Sequence, residues 1–578
     1  MPPADRARRP HRRLPAADAR PEAPRGERLP RPQLPGGVRG RFVQRLGDAR
    51  GGARGLLVPR ARVDQGPVPA VPRDGHLRRA VRRDHRRPVS HTPFELGPEL
   101  VEAIVDRIGA FATEHHCPSI AWGLSCDGVV TASGATVVHD DGFHPTSGSV
   151  YRIASMTKSF TAAAVLSLRD EGVLSLDDRI DRHAPELAAV RAPVDDAAPI
   201  RIRHLLTMTA GFVTDNPWGD RHLDIDDEGM DALVRDGIVF SGATGSAFDY
   251  SNLGYGLLGR VVKRATGRRV QDLIAERFLE PLHLTRTTWL QPDHDDRARP
   301  YRWRDGAWVP EGLDPLGDGE IAPMGGLWST VDDVLRWVAF LSDAFPSRDD
   351  AAPSAPSAPS APSAPSAPSA PLSRASRREM QEMHRYTGTL QLPGRTAVNG
   401  YGYGLRVRSC ARLGRVVGHS GGLPGYGSHM RWAVERGLAM TALSNVTYAP
   451  MADLTQDVFE LILEHDAFPV PLPLDAPLVN ESARRLVALL ADWDDDVADE
   501  LFADNVAPDE PYERRRAEAQ AWLAGCGGSF EIDQVIATTR AAGRILLRRP
   551  EGEPFEIQFK LSPAGPPRIQ KYAEIDDT

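Results

Sequence analysis

Lysine is the residue type that this 578-residue sequence lacks most clearly. Only four of its 70 basic residues are lysines, and one of them, Lys158, stands three positions after Ser155. Arginine supplies nearly all other positive charge, so a position that needs only a cation receives arginine in this chain. Arginine is never deprotonated in proteins, whereas a desolvated lysine readily gives up its proton. We therefore interpret Lys158 as a residue that must become neutral to do its work.

Long apolar runs and ordered cysteine patterns are also missing. No apolar stretch reaches the roughly 18–20 residues that a membrane-spanning helix needs. The four cysteines are too scattered for a disulfide framework or a metal-ligand pattern. His115-His116-Cys117 has no second ligand cluster that would complete a metal site. The sequence thus predicts neither a membrane protein nor a bound metal or organic cofactor.

The first 92 residues differ in composition from the rest. Residues 1–91 hold 23 arginines and eight acidic residues, a balance of +15, so the remainder of the chain carries −23. A basic arm can bind nucleic acid or an anionic membrane, but this one lies among Pro, Ala and Gly without lasting periodicity. Most of these residue types have GC-rich codons. We interpret residues 1–92 as a disordered extension from a start assigned too early, and the lack of a secretory signal favours a cytoplasmic location.

Residues 93–468 are predicted to form one domain. An amphipathic helix is expected from Pro98 to Phe111, and a hairpin from Ser119 to Val138. Ser155 follows a short strand-like stretch and precedes a predicted helix over Ser159–Asp170. The serine should therefore lie at a helix N-terminus, where the backbone N–H groups point outward.

The second half of this domain contains a low-complexity insertion. Residues 351–373 are dominated by an Ala-Pro-Ser repeat, which favours extended polyproline II and cannot form a core. We interpret it as a disordered surface insertion between a mostly helical part, residues 176–345, and a closing sheet. The strands expected in that sheet are Tyr401–Val407, Arg415–Val417, His429–Trp432 and Ala439–Ser444.

A small α+β module is predicted over residues 475–578, after a proline-rich linker. Two helices, about 481–503 and 511–523, precede four strand-like runs over Phe530–Ala537, Ile545–Arg549, Phe555–Leu561 and Arg568–Ala573. No catalytic constellation is visible in it. Shaping the cleft and mediating homo-oligomer formation are both open roles for this module.

Three short motifs follow one another in the main domain: Ser155-x-x-Lys158, Tyr250-Ser251-Asn252 and His419-Ser420-Gly421-Gly422. Each alone is weak, and each of these residues alone more often has a structural role as a helix cap or in packing. Together they supply the parts of a serine hydrolase. A serine hydroxyl needs an adjacent base, and residues at i and i+3 share a helix face, so Lys158 can reach Ser155.

The other two motifs have roles that fit this chemistry. Tyr250 can relay a proton to the leaving group, and Asn252 can orient Lys158 and hydrogen-bond the substrate. His419-Ser420-Gly421-Gly422 would form an edge strand whose glycines let a substrate approach closely. The backbone N–H groups of Ser155 and Gly422 would then form the oxyanion hole.

With these motifs in place, residues 96–465 resemble the serine hydrolase family of class C β-lactamases, low-molecular-weight D,D-peptidases, D-aminopeptidases and related esterases. The matching stretches are Tyr151–Lys158, Ile202–Gly211, Phe248–Tyr255, Gly325–Asp333 and Gly418–Gly425. The resemblance implies an α/β domain, with an antiparallel sheet flanked by helices, packed on a helical domain. It also implies an active-site cleft between the two, and an acyl-enzyme at Ser155 formed from a small-molecule ester, amide or peptide.

One departure from the family pattern concerns substrate choice. True β-lactamases of this class carry Lys-Thr-Gly on the edge strand, where the lysine helps to hold the substrate carboxylate, but this chain has His419 there. Histidine is mostly neutral near pH 7. We therefore expect an esterase or peptidase-like activity, with β-lactamase or D,D-carboxypeptidase activity as the alternative.

Two further alternatives stay open at this point. Gly418-His419-Ser420-Gly421-Gly422 also fits the nucleophile elbow of α/β-hydrolases, with Ser420 as nucleophile, although that elbow needs a helix immediately after the serine. The domain can also be a catalytically silent binding module that keeps the fold. The presence of all three motifs argues against the silent module.

Overall fold

The computed structural model describes residues 96–575 except for 193, 294, 313–316, 346–370, 393–394, 470–473, 475 and 551–553. Every described residue belongs to one compact unit of the chain. The predicted extension over residues 1–92 lies outside the described residues, as does most of the predicted insertion over 351–373. In the part of the chain that is described, no helix is long and apolar enough to cross a membrane.

The helices are numbered in chain order. They are α1 Pro98–Glu114, α2 Thr157–Asp170, α3 Ile180–His183, α4 Ile202–Leu206, α5 Asn216–Gly219, α6 Asp227–Asp236, α7 Asn252–Thr266, α8 Val270–Ile274, α9 Val331–Ser342, α10 Arg374–Met380, α11 Met451–Glu464, α12 Pro477–Ala491, α13 Asp495–Leu501, α14 Val506–Asp509 and α15 Tyr512–Gly525.

The strands are numbered in the same way. They are β1 Ser119–Cys126, β2 Val129–Val137, β3 Tyr151–Arg152, β4 Tyr301–Arg304, β5 Ala307–Pro310, β6 Trp328–Ser329, β7 Arg385–Leu392, β8 Arg395–Tyr401, β9 Arg406–Cys410, β10 Gly414–Leu423, β11 Tyr426–Ala433, β12 Leu438–Ser444, β13 Ile532–Thr539, β14 Ala542–Leu547, β15 Phe555–Leu561 and β16 Ile569–Glu574.

One antiparallel sheet of eight strands organises the main domain, in the order β2-β1-β12-β11-β10-β9-β8-β7. The N-terminal hairpin pairs with β12, the last strand of the domain, so the sheet is closed by both ends of the chain segment. Helices cover the sheet, and a helical part is inserted between β2 and β7. The expected fold class, a serine β-lactamase-like fold with an antiparallel sheet and helices, is confirmed.

Helix α1 shows why the outer helices pack on this sheet. Leu100, Ile104, Ile108 and Phe111 recur at intervals of three or four residues and are all buried. They share one apolar cluster with strand β1 and helix α11. Because each buried aliphatic side chain contributes about 1.5–3 kcal/mol, this face is sufficient to hold α1 against the sheet. The helix and hairpin predicted for this region are confirmed.

Helix α2, which carries Lys158, is buried on all sides. Every residue from Thr157 to Leu168 is buried, and Ala162-Ala163-Ala164 gives neighbouring elements close access to its backbone. It packs against helices α7 and α8 in the largest apolar cluster. A central helix that is enclosed in this way can keep a lysine away from water.

The strand predicted over Tyr401–Val407 is wrong. Strand β8 ends at Tyr401, and β9 begins only at Arg406. The connection passes directly over helix α2: a Cβ on Gly404 would lie 2.5 Å from the carbonyl oxygen of Lys158, and the φ of Gly404 is +69°. The pattern of apolar residues resembles a strand, but the glycines serve a tight turn against that helix.

Residues 474–575 contain the helices and the four-stranded meander predicted for this end of the chain, with strand order β13-β14-β15-β16. The long helix expected over residues 481–503 is wrong, because α12 ends at Ala491 and a new helix begins at Asp495. Asp494 causes the break, since its carboxylate accepts a hydrogen bond of 3.0 Å from the backbone N–H of Val497 and caps α13.

We expect deletion of residues 475–578 to leave a folded and active main domain. The apolar cluster of the C-terminal part, from Ala476 to Tyr572, shares no buried residue with the two clusters of the main domain among the described residues. Hydrolysis of p-nitrophenyl acetate and mass in solution should be measured for both chains. Loss of activity would contradict the prediction, and a change from oligomer to monomer would assign self-association to the deleted part.

Candidate active site

Ser155 lies in the 3-10 turn Ala154–Met156, immediately before helix α2. Ala154 has a φ of +48°, a left-handed conformation that costs a non-glycine residue on the order of 1–3 kcal/mol. Strand β10 lies against this turn, because a Cβ on Gly421 would come within 2.2 Å of the carbonyl oxygen of Ile153. The serine, which is 8% exposed, is thus held between a buried helix and a strand that only glycine lets come so close.

The amine of Lys158 is fully buried and directed at Ser155. Its Nζ lies 3.0 Å from the Oγ of Ser155, 2.7 Å from the Oδ1 of Asn252 and 2.8 Å from the carbonyl oxygen of Met324. Burial lowers the pKa of Lys158 from 10.5 to about 7, against the opposing charges of Asp220 and Asp215. A substantial neutral fraction near pH 7 makes this amine able to accept the proton of the serine hydroxyl.

Tyr250 lies on the other side of the lysine. The Nζ of Lys158 is 4.8 Å from the centre of its ring. Burial raises the pKa of Tyr250, while a hydrogen bond with Ser155 and the positive charge of Arg406 act in the opposite direction. The phenol is therefore protonated near neutral pH and can pass a proton to a neighbouring oxygen or nitrogen atom.

Asn252 is the first residue of helix α7, and the carboxylate of Asp215 holds this end of the helix. One Asp215 oxygen accepts the backbone N–H of Asn252 at 2.6 Å and the other accepts that of Leu253 at 2.8 Å. The side chain of Ser251 caps the helix by accepting the N–H of Gly254. Since the Asn252 amide also donates to Asn216 at 3.0 Å, its oxygen is fixed toward Lys158.

His419 faces Tyr250 but uses both ring nitrogens within the protein. Its Nδ1 donates to the carbonyl oxygen of Ser420 at 2.6 Å, so its Nε2 accepts from the hydroxyl of Tyr401 at 3.0 Å. Burial lowers the pKa of His419 well below its usual value, and the charges of Arg406 and Lys158 act in the same direction. The ring is neutral, as expected from the sequence, and it carries no cation to the site.

Ser420 points to the opposite face of the strand from His419. The Nε of Arg431 donates to the Nε2 of His429 at 3.4 Å, and the Nδ1 of His429 therefore donates to the Oγ of Ser420 at 3.0 Å. This series of hydrogen bonds leaves the hydroxyl proton of Ser420 free to be donated. The nucleophile-elbow alternative is wrong, because Ser420 lies inside strand β10 and the next element is strand β11 rather than a helix.

Gly422 lies on an open edge of the sheet. Strand β9 pairs with β10 only as far as Gly418, so within the described part of the chain no strand lies on that side of His419 to Leu423. The backbone N–H of Val434 donates to the carbonyl oxygen of Arg415, which shows that odd-numbered residues of β10 bond to β11. By alternation, the N–H of Gly422 points to the open edge. It is available to an oxyanion, as is the N-terminus of helix α2 at Ser155.

Two charged residues near this site were missed by the sequence analysis. Arg406 is exposed, its Cζ lies 5.6 Å from the Tyr250 ring centre, and no ion-pair partner is found for it among the described residues. Asp220 is buried and influences the pKa of Lys158. Neither residue belongs to one of the three motifs, and one arginine among so many gives no signal of a functional role.

The comparisons with known proteins agree with this geometry. A family model described as Beta-lactamase matches residues 101–463, and this chain belongs to that family. D-alanyl-D-alanine-carboxypeptidase/endopeptidase AmpH of Escherichia coli (strain K12) is 29% identical over 267 residues, which cover 44% of this chain and 66% of that protein. Penicillin-binding protein 4 of Amycolatopsis lactamdurans is 34% identical over 185 residues, covering 31% and 46%.

A solved structure shows the same fold. The octameric penicillin-binding protein homologue from Pyrococcus abyssi is 19% identical, has a TM-score of 0.50, and covers 80% of this chain and 96% of its own. The chain spans less than two thirds of the length of the two curated relatives that it matches.

The lowered pKa of Lys158 leads to a prediction of how the activity depends on pH. Because the pKa of Lys158 is lowered to about 7, the fraction of neutral base rises as the pH increases through that value. We expect kcat/KM for p-nitrophenyl acetate to rise with a midpoint near pH 7, measured from about pH 5 to about pH 9. Lys263→Gln, which removes a lysine paired with Glu320, should keep the profile. A profile without a step near pH 7 would contradict the prediction.

Proposed function

We propose that this protein is a serine hydrolase that cleaves a small-molecule ester, amide or peptide through an acyl-enzyme at Ser155. The observation that carries the proposal is the contact of 3.0 Å between the Ser155 Oγ and a buried Lys158 amine whose pKa is lowered to about 7. A serine beside a neutral amine is an activated nucleophile. The chain supplies nucleophile, base and oxyanion donors from its own residues.

The reaction proceeds in two halves. Lys158 accepts the hydroxyl proton as the Ser155 Oγ attacks the substrate carbonyl, and the backbone N–H groups of Ser155 and Gly422 bind the resulting oxyanion. Tyr250 then donates its proton to the leaving group as the bond to that group breaks, and Lys158 passes the proton taken from Ser155 to the phenolate, so that both residues regain their starting states. Water attacks the acyl-enzyme in the second half, and the same residues return its proton to Ser155.

The remaining motif residues position the substrate in this proposal. Asn252 orients Lys158, and Ser420 donates a hydrogen bond from its free hydroxyl to the substrate. Gly421 keeps strand β10 close to the turn that holds Ser155. His419 fixes Tyr401 beside Tyr250 and contributes no charge. The three motifs resemble those of class C β-lactamases, with His419 in place of the lysine.

Labelling with a fluorophosphonate tests this proposal directly. Intact mass should show one adduct on the wild type and on Ser420→Ala, and none on Ser155→Ala. Lys158→Arg keeps the positive charge but cannot serve as a base, so it should label at least about 100-fold more slowly. An unlabelled wild type would favour the silent binding module, and an adduct that survives in Ser155→Ala would contradict the assignment of the nucleophile.

We expect simple esters to be cleaved faster than β-lactams. The lysine that holds the β-lactam carboxylate in true β-lactamases is replaced by a neutral His419 whose nitrogens are both engaged. The ratio of kcat/KM for p-nitrophenyl acetate to that for a chromogenic cephalosporin measures this preference. A cephalosporin that is cleaved faster than the ester would reverse the proposed order.

A D,D-carboxypeptidase-like activity is a second candidate, and Arg406 favours it. This side chain is an exposed cation beside Tyr250, without an acidic partner among the described residues. It lies next to the open edge of β10, because Arg406 pairs with Gly418. A guanidinium in this position can bind the terminal carboxylate of a peptide by two parallel hydrogen bonds.

N-acetyl-D-alanyl-D-alanine and its C-terminal amide form a substrate pair that isolates this carboxylate. We expect Arg406→Gln to lower kcat/KM for the acid about tenfold or more, with a much smaller change for the amide. Arg412→Gln, at an exposed position in the turn that follows β9, is the matched control and should alter neither. Equal effects on both substrates would rule out carboxylate binding by Arg406.

A further inference from the structure

Asp220 is a buried carboxylate to which no cation is bonded among the residues that the structure describes. It is 3% exposed, and the hydroxyl of Tyr448 donates to its Oδ2 at 2.9 Å. No salt bridge to Asp220 occurs among the described residues, and its second oxygen accepts no hydrogen bond there. Aspartate is rarely buried unless it is paired, because a buried charge without a partner is costly.

The position of Asp220 relates it to the candidate active site. It follows Gly219, which packs so closely on Asn252 that a Cβ on the glycine would lie 2.8 Å from the Asn252 Cβ. Asn252 in turn holds Lys158. Asp220 therefore lies on the wall that orients the base, on the side of the helical part.

Tyr448, which donates the hydrogen bond to Asp220, also lies against strand β10. A Cβ on Gly422 would lie 2.8 Å from the Cδ1 of Tyr448, so the phenol stands beside the residue whose N–H faces the open edge. Tyr448 is 47% exposed and has a φ of +54°. Its neighbour Thr447 anchors the segment by donating to Glu311 at 3.0 Å. A strained, anchored and exposed residue of this kind is typical of a functional site.

We propose that the carboxylate of Asp220, hydrogen-bonded by Tyr448, binds a protonated primary amine on the acyl side of the substrate. The inference rests on the proposed function of Ser155 and names the substrate class of that site: amides or esters of an amino acid with a free α-amine. The ammonium group supplies the missing cation and bonds the carboxylate oxygen that has no donor.

The opposite charges of Asp220 and Arg406 would orient a substrate that carries both an amine and a carboxylate. Asp220 lies by Asn252 and Gly422, while Arg406 lies by Tyr250 and Gly418. The anion and the cation thus lie beside different residues of the site. Burial raises the pKa of Asp220 to about 6, so the carboxylate is ionised at neutral pH, and the hydrogen bond from Tyr448 supports that form. A single carboxylate with one phenol does not have the ligand number of a metal site.

D-alanine p-nitroanilide and propanoic acid p-nitroanilide, which lacks only the amine, form the test pair. We expect the wild type to cleave the amine-bearing anilide with a kcat/KM about 10- to 100-fold higher. Asp220→Asn should reduce this ratio toward one, and Asp220→Glu should restore part of it. Asp224→Asn removes a charge from an exposed position of the same segment, so it should leave the ratio unchanged.

The outcomes separate this inference from the proposed function. Fluorophosphonate labelling of the wild type at Ser155, together with equal rates for the two anilides, would overturn amine binding and leave the hydrolase proposal intact. A parallel fall for both anilides in Asp220→Asn would assign Asp220 to the electrostatics of Lys158 and also overturn it. The wild-type ratio tests amine binding even where a variant does not fold, and failure of labelling would remove both proposals.

Discussion

The burial of one amine is the constraint on which the site depends. Lowering the pKa of Lys158 from 10.5 to about 7 disfavours its charged form by on the order of 5 kcal/mol. That environment requires a helix enclosed on all sides, and α2 is such a helix. The two protons of the neutral amine also need acceptors, which Asn252 and the Met324 carbonyl provide, so that the lone pair is left for the hydroxyl of Ser155. An arginine at this position would be a fixed charge without a base function.

These acceptors come from distant parts of the sequence. Ser155 lies in the turn before α2, Asn252 begins α7, and Met324 precedes β6, while the sheet contributes the open edge of β10. The closeness of the parts depends on small residues at their contacts. Gly421 contacts the turn that holds Ser155, Gly404 contacts the backbone of Lys158, and Gly219 contacts Asn252. A side chain at any of these positions would separate the two elements that meet there.

The sequence predicted the elements with strong local signals and missed those set by long-range contacts. The amphipathic helix α1, the first hairpin and the three motifs were all visible from spacing. The strand over Tyr401–Val407 was wrong because a turn packed on α2 looks like a strand in composition. Helix 481–503 was wrong because the capping carboxylate of Asp494 interrupts it. No motif or pattern in the sequence singled out Arg406, because only its closeness to Tyr250 in the structure indicates a role at the site.

Charge placement links the scaffold to substrate choice. The strand position that holds a lysine in true β-lactamases here holds a neutral histidine bonded to Tyr401 and to Ser420. Arg406, on the strand next to β10, keeps positive charge near the site. Its side chain is exposed to solvent, so its electrostatic interactions are weaker than those of a buried cation. A buried Asp220 on the other wall adds the opposite sign. The binding roles proposed for Arg406 and Asp220 together imply a preference for zwitterionic substrates over a β-lactam, whose only charge near the ring is a carboxylate.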